Sequence, residues 1–212
     1  MAGWGTPCDA SNLVAIRAFG RTETWHRRGI GHLKYAELLA LRSRYGRELA
    51  ELASGRSEQA PYVIQTYACR EVRGGTTTSN HSWPRAVDVK PWANPMRDDG
   101  VLETDYTKFG RLDGLRFVSA WLAAGFVWGS TWSGERPLAR WALWRVGRKI
   151  RDGRVDPMHF EREADPRDSR RYWTRRVRRY ALRHPRYVRR VKRQAGVRTV
   201  RALVEAWFEG KA

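Results

Sequence analysis

The chain has no apolar run near the roughly 20 residues that a membrane-crossing helix needs. Its first twenty residues, MAGWGTPCDASNLVAIRAFG, contain no basic segment followed by a hydrophobic stretch, so no secretory signal is expected. Cysteine is scarce: only Cys8 and Cys69 occur, and neither belongs to a CxxC pair. That excludes a framework of several disulfides and a thiolate zinc cluster. Two separate thiols are the simpler expectation, with a single bridge between them left open. The glycine-rich GGTTTS at 74–79 lacks the GKS or GKT ending of a phosphate cradle, and no GxSxG marks a serine hydrolase. Lysine is also rare, 6 residues against 35 arginines, a bias that a GC-rich genome explains better than selection for phosphate binding.

What is present describes a globular protein. With 212 residues, 42% of them hydrophobic, and 11 tryptophans, the chain can bury one main core. The net charge of +19 implies an anionic partner such as nucleic acid, a membrane surface or a cell wall. Most of that charge lies at the end, where residues 162–212 hold 17 basic against 5 acidic side chains.

Periodicity assigns the elements. In HLKYAELLALRSRYGRELAELA, the residues Leu38, Leu41, Tyr45, Leu49 and Leu52 recur at helical spacing and predict one amphipathic helix. YVIQTYA (62–68) reads as a strand, AVDV (86–89) as a second and FVWGSTW (126–132) as a third. Between the last two, Leu112, Leu115, Val118 and Leu122 share a helical face that Gly125 ends. VDPMHFE (155–161) is expected as a final core strand. The tail is expected to hold two helices, one with Trp173, Val177 and Tyr180 on a face and one with Val200, Leu203, Val204 and Trp207, with Pro185 and Gly196 between them. Helices and short strands in this order suggest an α+β domain with an antiparallel sheet.

Two stretches carry chemistry. TTTSNHSWPRAVDVKPW places His81 seven positions before Asp88, and VDPMHFE places Asp156 three before His159. A hydrolytic zinc needs three His, Asp, Glu or Cys ligands, an open position, and a nearby group to move protons. His81, Asp88 and His159 supply the ligands, and Asp156 the carboxylate. His26, His32 and His184 stand in basic surroundings without metal spacing and read as surface residues.

SNHSWPRAVD resembles the SxHxxGxAxD signature of the zinc D-alanyl-D-alanine carboxypeptidase superfamily, and DPMHFE is similar to its second signature. Ser79, His81, Ala86 and Asp88 match the first motif. Asp156, His159, Phe160 and Glu161 match the second. AGFVWGSTW (124–132) resembles the tryptophan-glycine strand of the superfamily's phage L-alanyl-D-glutamate endopeptidases. Pro84 departs from the motif, standing where the family usually has glycine, and the basic insertion at 133–154 has no counterpart in the family pattern. The aspartate at 156 favours the phage branch over the carboxypeptidase branch, which tends to use glutamate.

The resemblance implies a hedgehog/DD-peptidase-like fold, an antiparallel sheet with flanking helices, in a peptidase domain at 1–165 (motif core 62–161), followed by a basic helical extension at 166–212. It implies Zn2+ on His81, Asp88 and His159, with Asp156 and Arg70 catalytic and Ser79 and Trp132 binding substrate; Trp83, Trp92 and Trp128 are further candidates for a groove. It implies a peptidoglycan stem-peptide bond as substrate and a monomeric phage endolysin, made in the host cytoplasm and acting on the wall. A D-alanyl-D-alanine carboxypeptidase is the second reading. A non-catalytic, zinc-stabilised module that binds wall or nucleic acid through its tail is the reading from another class. The tail is expected to pack on the domain or to bind anionic wall polymer or lipid ahead of nucleic acid.

Overall fold

Residues 13–26 fold back on themselves about Phe19-Gly20. Strand β1 (Leu13–Ala18) pairs antiparallel with β2 (Arg21–His26), Ala18 opposite Arg21. Both turn residues have positive φ, 49° at Phe19 and 86° at Gly20, the backbone of a two-residue hairpin turn. Glycine adopts it freely, whereas phenylalanine does so at a cost. Burial offsets that cost, because the Phe19 ring stacks on Trp121 with centroids 5.7 Å apart and its N–H donates to Glu37 Oε1 at 2.7 Å. The computed structural model describes residues 4–55, 63–72, 75–96, 111–129, 156–162 and 169–212.

The single helix expected around residues 32–53 is two: α1 (Ile30–Ala40) and α2 (Arg44–Ser54). Ser43 divides them. Its Oγ donates to Ala40 O at 2.7 Å and accepts from Gly46 N at 2.9 Å, which stops one helix and caps the next. Gly46 permits the tight junction, since a Cβ there would sit 2.1 Å from Ala40 O. The Asp113 carboxylate, reaching from α3 (Arg111–Ala123), also accepts from Arg44 N at 3.0 Å and Tyr45 N at 2.7 Å. Helix α1 is buried around most of its circumference, as a helix enclosed by other elements must be. Its Lys34 is satisfied by an ion pair to Glu37 and by donating to Arg17 O at 2.9 Å.

A four-stranded antiparallel sheet carries the second half of the domain. Its order is β3 (Ile64–Gln65), β4 (Ala86–Val89), β6 (His159–Glu161), β5 (Val127–Trp128). The strands are shorter than the sequence patterns, but AVDV and HFE fall where expected, and the α+β class is observed. Alternation divides the two central strands. Val87 faces Phe160 across the ladder, and Phe160 stacks on Trp121 at 5.1 Å and Trp128 at 6.3 Å. The intervening residues Ala86, Asp88, His159 and Glu161 point to the other face. Gly125, at φ 90°, ends α3 and admits the turn into β5.

The tail holds three helices rather than two: α4 (Arg170–Arg183), α5 (Pro185–Gln194) and α6 (Val200–Phe208). Pro185 starts α5, because its fixed φ suits a first helical position. Ser169 and Thr199 cap α4 and α6 by accepting from Tyr172 N and Ala202 N. Trp173 is fully buried against His32 and Tyr35, with centroids 4.6 and 5.4 Å away, and Tyr187 Oη donates to Leu38 O at 2.7 Å. Trp173, Val177, Leu203 and Trp207 belong to the same continuous core as α1 and the sheet.

Two expectations change here. Cys8 and Cys69 are not separate thiols but a disulfide, Cα atoms 5.4 Å apart, which closes a span of 61 residues. His26 and His32 are buried rather than on the surface: His26 Nε2 meets Trp4 O at 2.9 Å and His32 Nδ1 meets Ala124 O at 3.1 Å. Burial, with Arg162 nearby, pushes His32 down to about 4, so it sits in the core neutral.

The shared core makes a prediction. Trp173→Ala should destabilise the whole protein by about 3–5 kcal/mol, seen in denaturant unfolding as one earlier transition. Loss of α4–α6 helicity alone, with the rest melting as before, would contradict it.

Candidate metal centre

The antiparallel register sets Asp88 directly opposite His159, so both side chains leave the same face of the sheet. His81 arrives from the 3₁₀ turn Asn80–Ser82, which precedes β4 and is capped by Ser79, whose Oγ accepts from His81 N at 3.3 Å. His81 Nε2 lies 3.2 Å from Asp88 Oδ2, His159 Nδ1 lies 2.8 Å from Asp88 Oδ1, and the two imidazole nitrogens are 3.3 Å apart. One atom from each residue falls within 4.8 Å of the others, and all three residues are buried. Ligands held at 2.0–2.1 Å around a tetrahedral zinc stand about 3.3 Å from one another, so the spacing fits that ion.

The hydrogen-bond partners fit as well. His81 Nδ1 donates to Thr66 O at 2.7 Å and His159 Nε2 to Glu161 Oε2 at 3.1 Å, which leaves Nε2 of His81 and Nδ1 of His159 to ligate. Glu161 is held in turn by the Asn80 amide, and Asn80 Oδ1 accepts from Arg85 Nε at 3.0 Å. Arg85 is buried and lies over the Trp4 and Trp83 rings at 5.9 and 5.3 Å. Glu161 was visible in the sequence only as a motif letter. Thr66, Asn80 and Arg85 carried no signal there, because their roles depend on the fold.

Burial by itself would raise the Asp88 carboxyl, but hydrogen bonds from His159 and His81 overcome it and hold Asp88 well below the usual range. Burial would likewise lower His159, yet Asp88 and Glu161 push it up to about 10. The pocket thus stabilises positive charge strongly: without a cation it keeps a proton on His159, which a dication would displace.

Asp156 lies in the turn entering β6, its carbonyl accepting from His159 N at 3.2 Å. Its side chain is buried, and Oδ1 has no hydrogen-bond partner among the described residues. Burial raises it to about 6, with Asp88 and Glu161 pushing the same way and the two histidines opposing. Trp128 and Gly129 shape the turn. Trp128 Nε1 donates to Pro157 O at 2.8 Å, and a Cβ on Gly129 would meet Asp156 O at 2.4 Å and His159 Cβ at 3.2 Å.

The other expected residues are placed differently. Arg70 is exposed, with Nη1 donating to Glu71 O at 3.1 Å, and its backbone rather than its guanidinium faces the 3₁₀ turn, through Ser79 N and Ser82 Oγ. Ser79 acts as a cap. Trp128 is core, Trp83 donates to Gly5 O, and Trp92 is exposed. Pro84 is buried and its carbonyl accepts from His26 N at 3.2 Å, which ties the motif loop to the hairpin. Trp132 and the 133–154 insertion lie outside the described residues.

Comparison with protein families matches residues 73–136 to the model described as D-alanyl-D-alanine carboxypeptidase. The match supports a place in that peptidase superfamily. It contains His81 and Asp88 and ends before Asp156 and His159, so the second half of the cluster is joined to the first by the fold. Comparison with curated proteins and with solved structures finds no match.

The purified protein should bind one zinc per chain by metal analysis, and His81→Ala or Asp88→Ala should abolish tight binding. Asn80→Ala, which touches no ligand directly, should weaken zinc affinity about 10- to 100-fold in a chelator competition. Unchanged affinity would remove the Arg85–Asn80–Glu161 chain from any role in positioning His159.

Proposed function

We propose that the protein is a zinc peptidase that hydrolyses a peptidoglycan stem-peptide bond next to a D-amino acid, as a phage endolysin of the L-alanyl-D-glutamate endopeptidase type. The observation that carries the catalytic reading is Asp156: a buried carboxylate with an oxygen unpartnered among the described residues, raised to about 6, beside a three-ligand cluster. A site that only held structural metal would have no use for it. Zinc held by His81, Asp88 and His159 supplies a Lewis acid and makes water acidic enough to react at neutral pH.

The chain's own groups do the rest. Ionised Asp156 takes a proton from the attacking water as its oxygen joins the carbonyl carbon. The same carboxyl then gives that proton to the amide nitrogen as the C–N bond breaks. Asp88, kept ionised, balances the charge of the cluster, while Thr66 and Glu161 hold the two imidazoles in the ligating orientation. Burial of the four groups excludes bulk water and strengthens every charge interaction among them.

The description of the matching family favours a second reading, D-alanyl-D-alanine carboxypeptidase. Digestion of purified peptidoglycan followed by mass spectrometry separates the two. New amino termini on the D-glutamyl residue support the endopeptidase. Released free D-alanine supports the carboxypeptidase, and no new termini of either kind would reject both.

Asp156→Asn should retain zinc and lose about 10²- to 10⁴-fold in turnover; near-normal turnover would overturn its role. The same substitution should stabilise the metal-free protein. A carboxyl raised from 3.8 to about 6 binds its proton more tightly in the folded state, so stability falls as pH rises from about 4 through 6. Asp156→Asn removes that penalty, which is worth up to roughly 3 kcal/mol. Its melting temperature without metal should therefore exceed wild type at pH 7.5 and converge with it below about pH 4. A lower melting temperature at pH 7.5 would contradict the unpartnered carboxylate.

A further inference from the structure

Helices α4 and α6 enclose a groove of about 540 Å³ on the basic extension, lined by Arg170, Arg171, Arg175 and Arg178 of α4 and by Arg201 and Glu205 of α6. Glu205 is the only carboxylate there among the described residues. It pairs with Arg170 at 2.9 Å and Arg201 at 3.9 Å. Arg171, Arg175 and Arg178 are exposed, form no ion pair with a described residue, and follow each other at spacings of four and three on one face of the helix. At 1.5 Å per residue these guanidiniums form a ladder with steps of about 6 and 4.5 Å. Like charges in that arrangement destabilise a helix. Nothing in the packing requires them, since Trp173 and Val177 on the buried face hold α4 in place.

We propose that this groove binds a phosphodiester polymer without aromatic bases, of the polyol-phosphate kind found in cell walls. Arginine forks match phosphate oxygens in bidentate fashion and lose little hydration in doing so, and successive phosphates along a chain answer a ladder of cations. Two features argue against single-stranded nucleic acid and lipid. Among the described residues the lining has no aromatic side chain, and the neighbouring Phe208 ring is already covered by the Arg170 guanidinium at 5.3 Å, so the groove lacks the stacking platform that single-stranded nucleic acid uses. The apolar face of α4 is buried in the core except for Leu182, a single exposed leucine beyond the arginine ladder, and one side chain makes no hydrophobic stripe to enter a lipid interface. The choice of a wall polymer rests on the peptidase reading above; the phosphodiester chemistry rests on the groove.

The test is equilibrium binding of the intact protein to poly(glycerol phosphate), with an oligothymidylate and vesicles of anionic phospholipid as the other arms. Arg175→Gln/Arg178→Gln should lower affinity for poly(glycerol phosphate) at least about tenfold and, with two phosphate contacts removed, reduce the slope of log affinity against log salt by about 1.4 to 1.8. Arg186→Gln/Arg189→Gln removes the same charge from exposed positions on α5 and should change affinity less than the groove variant. Equal losses in both variants would show diffuse attraction and overturn the groove, as would tighter binding of oligothymidylate or vesicles at the same salt. Hydrolysis of a soluble stem peptide, measured in parallel, should be unchanged in the groove variant. A protein that binds the polymer yet cleaves no peptide would reject the peptidase and leave the groove standing.

Discussion

One cross-strand pair determines what this protein can do. Asp88 and His159 come from segments 71 residues apart and meet because β4 and β6 align in a single register. A slip of one residue would set Asp88 opposite Phe160 and leave Asp88 and His159 on opposite faces of the sheet. The aromatic packing prevents that slip: Phe160 is clamped between Trp121 and Trp128, and the cost of exposing it fixes the opposite face as the polar one. The hydrophobic core and the candidate metal centre are therefore two sides of one constraint.

A second constraint is electrostatic. Asp88, Glu161 and Asp156 are buried carboxyls gathered around two imidazoles, an arrangement that costs stability unless each charge is answered. Asp88 and Glu161 are answered by histidines, and Glu161 also by Asn80 and, beyond it, Arg85. Asp156 Oδ1 has no hydrogen-bond partner among the described residues, and that imbalance sets it apart from the structural acids. The rest of the fold supports the arrangement from outside. The disulfide ties the amino-terminal segment to the segment that follows β3 toward the motif loop, Cys8 N donates to Ser82 O at 2.8 Å, and the tail helices complete the core around α1.

The sequence exposed the site better than its surroundings. His81, Asp88, Asp156 and His159 stand in short motifs whose spacing is chemical, so they could be read without a fold. Ser43 could not: the leucine periodicity runs straight through residues 38–52, and only the serine's bonds to Ala40 and Gly46 break it. His26 and His32 looked exposed because their sequence neighbours are basic, yet a neighbour in sequence says little about a side chain that finds a backbone carbonyl elsewhere. The Phe19-Gly20 hairpin and the Cys8–Cys69 bridge are long-range or conformational facts with weak local signals. Asn80 and Arg85 are the clearest case of hidden function, since their task exists only once β4 and β6 are paired.

His81 Nε2, His159 Nδ1 and an Asp88 oxygen are proposed to form one metal site with a position open for water. X-ray absorption at the zinc edge of the loaded protein reads that shell directly. Four nitrogen or oxygen neighbours at about 2.0–2.1 Å are expected, with outer-shell scattering from two imidazoles. A shell containing sulfur at about 2.3 Å, or one without imidazole scattering, would contradict it.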